Sequence, residues 1–113
     1  MLVAILNDQI VGAAENRPGN PTFSPLEAPN HLCLLFVNKK FHNQGIGKKL
    51  FSKVVEKVKS SNPEVDCMSV HSSLYAIHFY EKLGFVRQTK EIGMVDGCAS
   101  ATMKIDLTKF QLC

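Results

Sequence analysis

The sequence predicts an α/β domain built as one mixed sheet with helices packed on it. The prediction rests on alternating strand-like and helix-like apolar segments, on two apolar stripes of helical pitch, and on a length of 113 residues that suits one domain over 1–113.

The first two strands are "LVAIL" (2–6) and "QIVGAAE" (9–15). They flank Asn7-Asp8, both of which tolerate positive φ, so a tight hairpin is expected. Residues 16–30, "NRPGNPTFSPLEAPN", carry four of the five prolines and no periodicity, and read as a long loop. "HLCLLFV" (31–37) is apolar from Leu32 onward, the pattern of a strand covered on both faces.

From Gly45 to Ser61 the pattern turns helical. Ile46, Leu50, Val54 and Val58 recur every four residues, joined by Phe51 and Val55, with the lysines mostly on the other side. Pro63 ends this helix by disfavouring helical geometry at Asn62. "DCMSVH" (66–71) is the next strand. A second helix runs from about Ser73 to Leu83, with Ala76, Phe79, Tyr80 and Leu83 as its buried stripe and Gly84 placed to close it. "FVRQTKEI" and "ASATMKIDL" are two strands around the turn-prone "VDGC". In the last, Ala99, Ala101, Met103, Ile105 and Leu107 alternate with polar residues and define a buried face. The order is β-β-β-α-β-α-β-β.

Composition narrows the function classes. The formal charge is only +3, and its lysines (39, 40, 48, 49, 53, 57) are interrupted by apolar residues, so neither nucleic acid nor a membrane surface is indicated as partner. Cys33, Cys67, Cys98 and Cys113 lack metal-ligand spacing and read as reduced thiols of a cytoplasmic protein; no metal is expected. No apolar run approaches a membrane span, and the N-terminus lacks the basic segment of a signal peptide.

Gly45 and Gly47 open the first helix, where glycine weakens helical structure unless something approaches the backbone. A helix N-terminus offers unpaired N–H groups and the positive end of its dipole, a setting for phosphate. The P-loop pattern fails here, because His42 stands at its first glycine and Lys49 at its hydroxyl position. The dinucleotide fingerprint fails because Leu50 replaces its third glycine, although Glu64 and Asp66 lie at a suitable distance downstream.

"FVNKKFHNQGIGKKLF" (36–51) resembles the pyrophosphate loop of the GNAT superfamily of acyl-coenzyme A N-acyltransferases, Q/R-x-x-G-x-G/A after an apolar strand. Here it reads His42-Asn43-Gln44-Gly45-Ile46-Gly47, with His at the opening position. "VHSSLYAIHFYEKLGF" (70–85) is similar to the second GNAT signature: Ala76, Phe79, Tyr80, Gly84 and Phe85 match in register, with Ser73 and His71 where relatives often carry Asn.

The resemblance implies a GNAT-like fold in which two parallel strands, here 31–37 and 66–71, splay apart to admit pantetheine. It implies that Leu35, Phe36 and Val37 pair with pantetheine, and that an N–H near Val37 stabilises the oxyanion. Backbone groups from Asn43 to Lys48 would hold the diphosphate, with His42 and Phe79 also at the cofactor site; Ser73 would either hydrogen-bond pantetheine or cap the second helix. Lys48 and Lys49 would add charge near the 3′-phosphate, although on the wet face of a helix both read rather as solvated, Lys49 the more so. Tyr80 would protonate the departing thiolate. The co-substrate implied is acetyl-coenzyme A, and the acceptor a primary amine of a small molecule or peptide, attacking directly in a ternary complex.

The residues name no single base; Glu27, His31 and His71 are the candidates, beside water relayed through backbone carbonyls. Relatives usually begin with a strand and two helices before the hairpin that opens this chain. Either another subunit completes the site, or the proline-rich loop 16–30 covers it, or the chain is a minimal or fragmentary relative; a homodimer is expected, to cover the apolar surface so exposed. The competing class is a non-catalytic acyl-coenzyme A-binding module of the same fold.

Overall fold

The computed structural model describes residues 1–20, 26–42, 44–88, 93–95 and 98–108. Its strands are β1 (Leu2–Leu6), β2 (Gln9–Pro18), β3 (Asn30–Val37), β4 (Cys67–Ser73), β5 (Val86–Arg87), β6 (Gly93–Val95) and β7 (Cys98–Asp106). The helices are α1 (Ile46–Ser61) and α2 (Ile77–Leu83), with 3₁₀ turns at Lys39–Phe41 and Leu74–Ala76. They form one mixed sheet of order β1-β2-β3-β4-β7-β5, with β6 also on β7; only β3 and β4 run parallel.

The hairpin forms as expected. Asn7 and Asp8 adopt φ of 52° and 64°, and Leu6 faces Gln9 across the turn. Leu50, Phe51, Val54, Val55 and Val58 of α1 are buried in one core with Leu32, Met68, Val70, Tyr80, Phe85, Met103, Ile105 and Leu107. Burying each large side chain is worth about 1.5–3 kcal/mol. Gly84 ends α2 in the left-handed region, at φ 112°.

Several expectations need correction. The loop is shorter than 16–30: Asn16, Arg17 and Pro18 continue β2 and pair with Leu32, His31 and Asn30. Arg-Pro-Gly carries breaker signals locally, and the non-local pairing with β3 overrides them. The strand at 31–37 is not covered on both faces, since Cys33 and Phe36 are exposed. Ser73 ends β4 rather than starting a helix, and α2 begins only at Ile77 after its 3₁₀ turn. On α2 Tyr80 is buried, but Phe79 stays 37% exposed. The strand from Phe85 is only Val86–Arg87 before Gln88, and residues 89–92 lie outside the described residues; Gly93–Val95 forms a separate strand. On β7 Ala99 is exposed, whereas Ala101, Met103 and Ile105, with Leu107 just past its end, are buried as expected.

Among the described residues, no helix is long and apolar enough to cross a membrane. β1 lies at a sheet edge, with Val3, Ile5 and, across the hairpin, Ile10 exposed.

Candidate active site

The site begins where the parallel ladder stops. β3 and β4 pair only at His31↔Ser69 and Leu32↔Val70. On the other side of β3 the register jumps from Asn16↔Leu32 to Glu15↔Leu34, so Cys33 is an extra residue, a β-bulge. A bulge bends its strand and reverses the side-chain alternation beyond it. That reversal turns Leu35 and Val37 toward the core, against which both pack. The strands therefore part from Cys33 onward, and a fork opens toward their C-terminal ends.

Backbone groups line this fork. The Asn38 N–H donates to the Val11 carbonyl at 2.6 Å, which makes Val11 and Asn38 a hydrogen-bonded pair. By antiparallel alternation the next pair, Gly12↔Val37, is non-bonded, and so is Ala14↔Leu35. Leu35 and Val37 thus turn their N–H and C=O groups away from β2, into the fork. Phe36 turns its backbone groups to Ala13 and leaves its side chain half-exposed.

The loop after β3 is braced locally. The Asn38 side chain accepts from the Lys40 N–H at 3.0 Å, starting the 3₁₀ turn. His42 Nε2 lies 2.7 Å from the Val37 carbonyl; a carbonyl only accepts, so Nε2 carries the proton. Gly45 caps α1 at φ 77° and ψ 8°, and Gln44 and Lys48 are exposed. Asn43 lies outside the described residues.

The two glycines serve different ends. At Gly45 a Cβ would meet nothing within 4 Å, so the backbone conformation is what selects glycine. At Gly47 a Cβ would stand 2.8 Å from Phe79 Cζ, so there the close approach of α2 selects it. Among the described residues, the first turn of α1 has no acidic side chain and no capping side chain. The N–H groups of Ile46, Gly47 and Lys48 thus meet the dipole's positive end with no intrahelical partner.

Tyr80 is 6% exposed, wedged between Phe79 and Phe85 at ring-centroid distances of 5.3 and 5.4 Å. Burial pushes its phenol up to about 12, so at neutral pH it is a proton donor. Ser73 sits at the cap of the turn before α2, but its hydroxyl makes no capping bond and the residue is exposed.

The structure brings the three candidate bases together. Met68, Val70, Leu32 and Met103 face the helices, so the alternate residues Ser69, His71, His31 and Thr102 lie on the opposite face of the sheet. Glu27 crosses that face with its side chain fully buried. Its Oε1 accepts from Arg17 Nη1 (2.8 Å) and the Asn20 N–H (2.8 Å). Its Oε2 accepts from Arg17 Nη2 (3.0 Å) and His71 Nε2 (2.8 Å). His71 Nδ1 is 3.0 Å from the Thr102 hydroxyl. His31 Nδ1 is 2.7 Å from the Ser69 hydroxyl, which also accepts from the Ala28 N–H at 2.8 Å.

The Arg17 hydrogen bond holds the Glu27 carboxyl down at about 2, and burial lowers His31 to about 4. Such a carboxylate is too acidic to take a proton from an ammonium. Glu27, His31 and His71 do offer ligand atoms within 4.8 Å of one another. Both Glu27 oxygens hold two donors each and Arg17 brings positive charge, so the contacts here form a hydrogen-bond network. Arg17, Ser69 and Thr102 had no signal in the sequence, because their roles arise only from strand pairing.

A separate apolar groove lies between β1 and α1, lined by Val3, Ile5, Leu6, Ile46, Lys49 and Lys53; it is not the fork.

A mixed sheet forked beside a glycine-rich helix start places this fold among the acyltransferases. The chain belongs to the acetyltransferase (GNAT) domain family, whose model matches residues 1–107. A GCN5-related N-acetyltransferase from Rhodopseudomonas palustris aligns with a TM-score of 0.68 at 24% identity, over 93% of this chain and 59% of its own. Tetrahymena GCN5 gives 0.69 at 18%, over 98% and 69%. A GNAT-family acetyltransferase from Staphylococcus aureus Mu50 gives 0.71 at 24%, over 93% and 66%. This chain thus spans 59% to 69% of the length of those three, and at such identities the likeness shows the fold. No curated protein matches the sequence.

Proposed function

We propose that this chain is an acetyl-coenzyme A-dependent N-acetyltransferase that acts on a primary amine of a small molecule or peptide. One observation supports the reading: the Leu35 backbone and the Val37 N–H turn away from β2 into a fork, beside the bare N-terminus of α1, where Gly47 meets Val37 and Phe79.

In this reading pantetheine lies along β3 as a substitute strand, bonded to Leu35 and Val37, with the Phe36 side chain beside it. The N–H groups of Ile46, Gly47 and Lys48, with Asn43, Gln44 and Gly45, hold the diphosphate; Phe79 closes against Gly47, and His42 and Ser73 flank the site. The acceptor nitrogen attacks the thioester carbon, and the Val37 N–H stabilises the oxyanion, a donor worth about 2.7–4 kcal/mol in a dry site. Collapse breaks the carbon–sulfur bond, and Tyr80 gives its proton to the departing thiolate. A thiol has a reference value near 8.5, well below the Tyr80 phenol. Burial raises a thiol as it raises a phenol, so seating the sulfur beside Tyr80 narrows that gap. Because Glu27 is saturated, the ammonium proton leaves through water and backbone carbonyls.

The closed Glu27–His71 network also favours a second reading, a non-catalytic acyl-coenzyme A-binding module. Tyr80→Phe separates the two. The enzyme reading expects lost turnover across an amine panel with coenzyme affinity retained; wild type that binds coenzyme yet acetylates no amine gives the module. We further propose a homodimer that covers the apolar edge at β1; a monomer in sedimentation with full activity would exclude it.

A further inference from the structure

The sheet is two half-sheets meeting at a short seam. β1, β2 and β3 form one, with α1 packed mainly on them; β4, β7, β5 and β6 form the other, with α2 and its 3₁₀ turn against β4. Among the described residues, strand pairing joins them only at His31↔Ser69 and Leu32↔Val70. A longer ladder would close the fork, so the seam must be held by something other than main-chain pairing.

The buried network lies across this seam. Arg17 comes from β2, His31 from β3, Ser69 and His71 from β4, and Thr102 from β7, so four neighbouring strands each contribute. Glu27 joins Arg17 of the first half to His71 of the second, and His71 is tied onward to Thr102. Ser69 joins His31 across the seam and anchors the crossing segment through the Ala28 N–H. His71 is also the first β4 residue beyond the last paired position.

We propose that Glu27 is a positioning residue: the Arg17–Glu27–His71–Thr102 chain is a clasp that fixes the two half-sheets at the vertex of the fork. The clasp lets the strands stay unpaired for a ligand while their separation is held constant. It touches no reacting atom, and acts through the angle between Leu35 and Val37 on one arm and β4 on the other. Its effect on coenzyme binding rests on the function proposed above; its effect on the seam does not.

The test compares amide hydrogen exchange, residue by residue, in wild type, Glu27→Gln, the milder Thr102→Val, and a core control away from the seam, Leu107→Ala. The expected result is that protection in the β3–β4 ladder falls at least tenfold more than in the β1–β2 hairpin for Glu27→Gln, and less but at the same place for Thr102→Val. Leu107→Ala should lower protection without singling out the seam. Coenzyme A, titrated by calorimetry, should bind at least tenfold more weakly to Glu27→Gln than to Leu107→Ala. Uniform loss of protection, or unchanged seam amides in both clasp variants, overturns the clasp. So does a zinc titration that stabilises wild type but not the clasp variants, since the cluster would then be a cation site. If wild type binds no coenzyme, the functional reading fails while the exchange data still decide the clasp.

Discussion

The two ends of the fork treat polar groups in opposite ways. At its open end, the Leu35 backbone, the Val37 N–H and the first turn of α1 face away from the strand and helix ladders among the described residues, and only the Val37 carbonyl is taken, by His42. At its base, both oxygens of Glu27 hold two donors each, and His31 and His71 each have a hydroxyl at Nδ1. Unpaired buried groups are costly, whereas a completed network rigidifies what it joins. The open end is thus built to receive a ligand and the base to hold shape.

The largest expected effect is chemical. Tyr80→Phe should lower turnover about 10²- to 10⁴-fold, the range for a general acid, while calorimetry finds coenzyme affinity nearly unchanged. Unchanged turnover would leave Tyr80 as a core residue only. At the base the expected loss is in stability. Glu27→Ala takes the acceptor from His71, the Asn20 N–H and the partly exposed Arg17, a change expected to cost about 1–3 kcal/mol, read by urea unfolding. A loss below 1 kcal/mol would mean that the network is not a structural unit.

The same contrast predicts a pH profile. His31 is held down at about 4 in the fold, below its ordinary 6.5. The unfolded chain therefore binds the extra proton first, and stability present above pH 6.5 declines as pH falls toward 4. The decline is worth up to about 3 kcal/mol at 1.36 kcal/mol per unit. Glu27, held at about 2, adds a second decline from pH 4.5 downward. Denaturant midpoints from pH 7.5 to 4.5 measure the first stage, and His31→Gln should flatten it; a flat wild-type profile would contradict the burial argument.

Smaller effects sharpen the picture. Gly45→Ala places a side chain in the left-handed region and should cost about 1–2 kcal/mol, although no atom lies in its way. Ser52 is buried in α1, and its hydroxyl has no partner among the described residues. Ser52→Ala should be neutral or stabilise by up to about 1 kcal/mol; a clear loss would reveal a missed hydrogen bond.

Local patterns were legible in the sequence where local physics decides. The Asn7-Asp8 turn, the stripe of α1, Gly84 at the end of α2 and the glycine pair follow from neighbours within a few residues, and all stand where expected. Features set by pairing between distant segments were not legible. Arg17 joins β2 because His31 lies across from it, and the bulge at Cys33 exists only relative to Glu15 and Asn16. Glu27, His31 and His71 were visible as three separate titratable residues; their assembly into one network needed the fold. Phe79 fits a buried stripe by spacing, yet it stays 37% exposed against Gly47 at the start of α1, a contact that only the fold brings about.

The central claim is that the fork, rather than the groove between β1 and α1, receives the coenzyme. An amide-resolved NMR titration with coenzyme A tests it most directly. The account predicts that the largest shifts fall on Leu35, Val37, Ile46, Gly47 and Lys48, with β1 nearly silent. Shifts concentrated at Val3, Ile5 and Leu6, or none at saturating coenzyme, would contradict it.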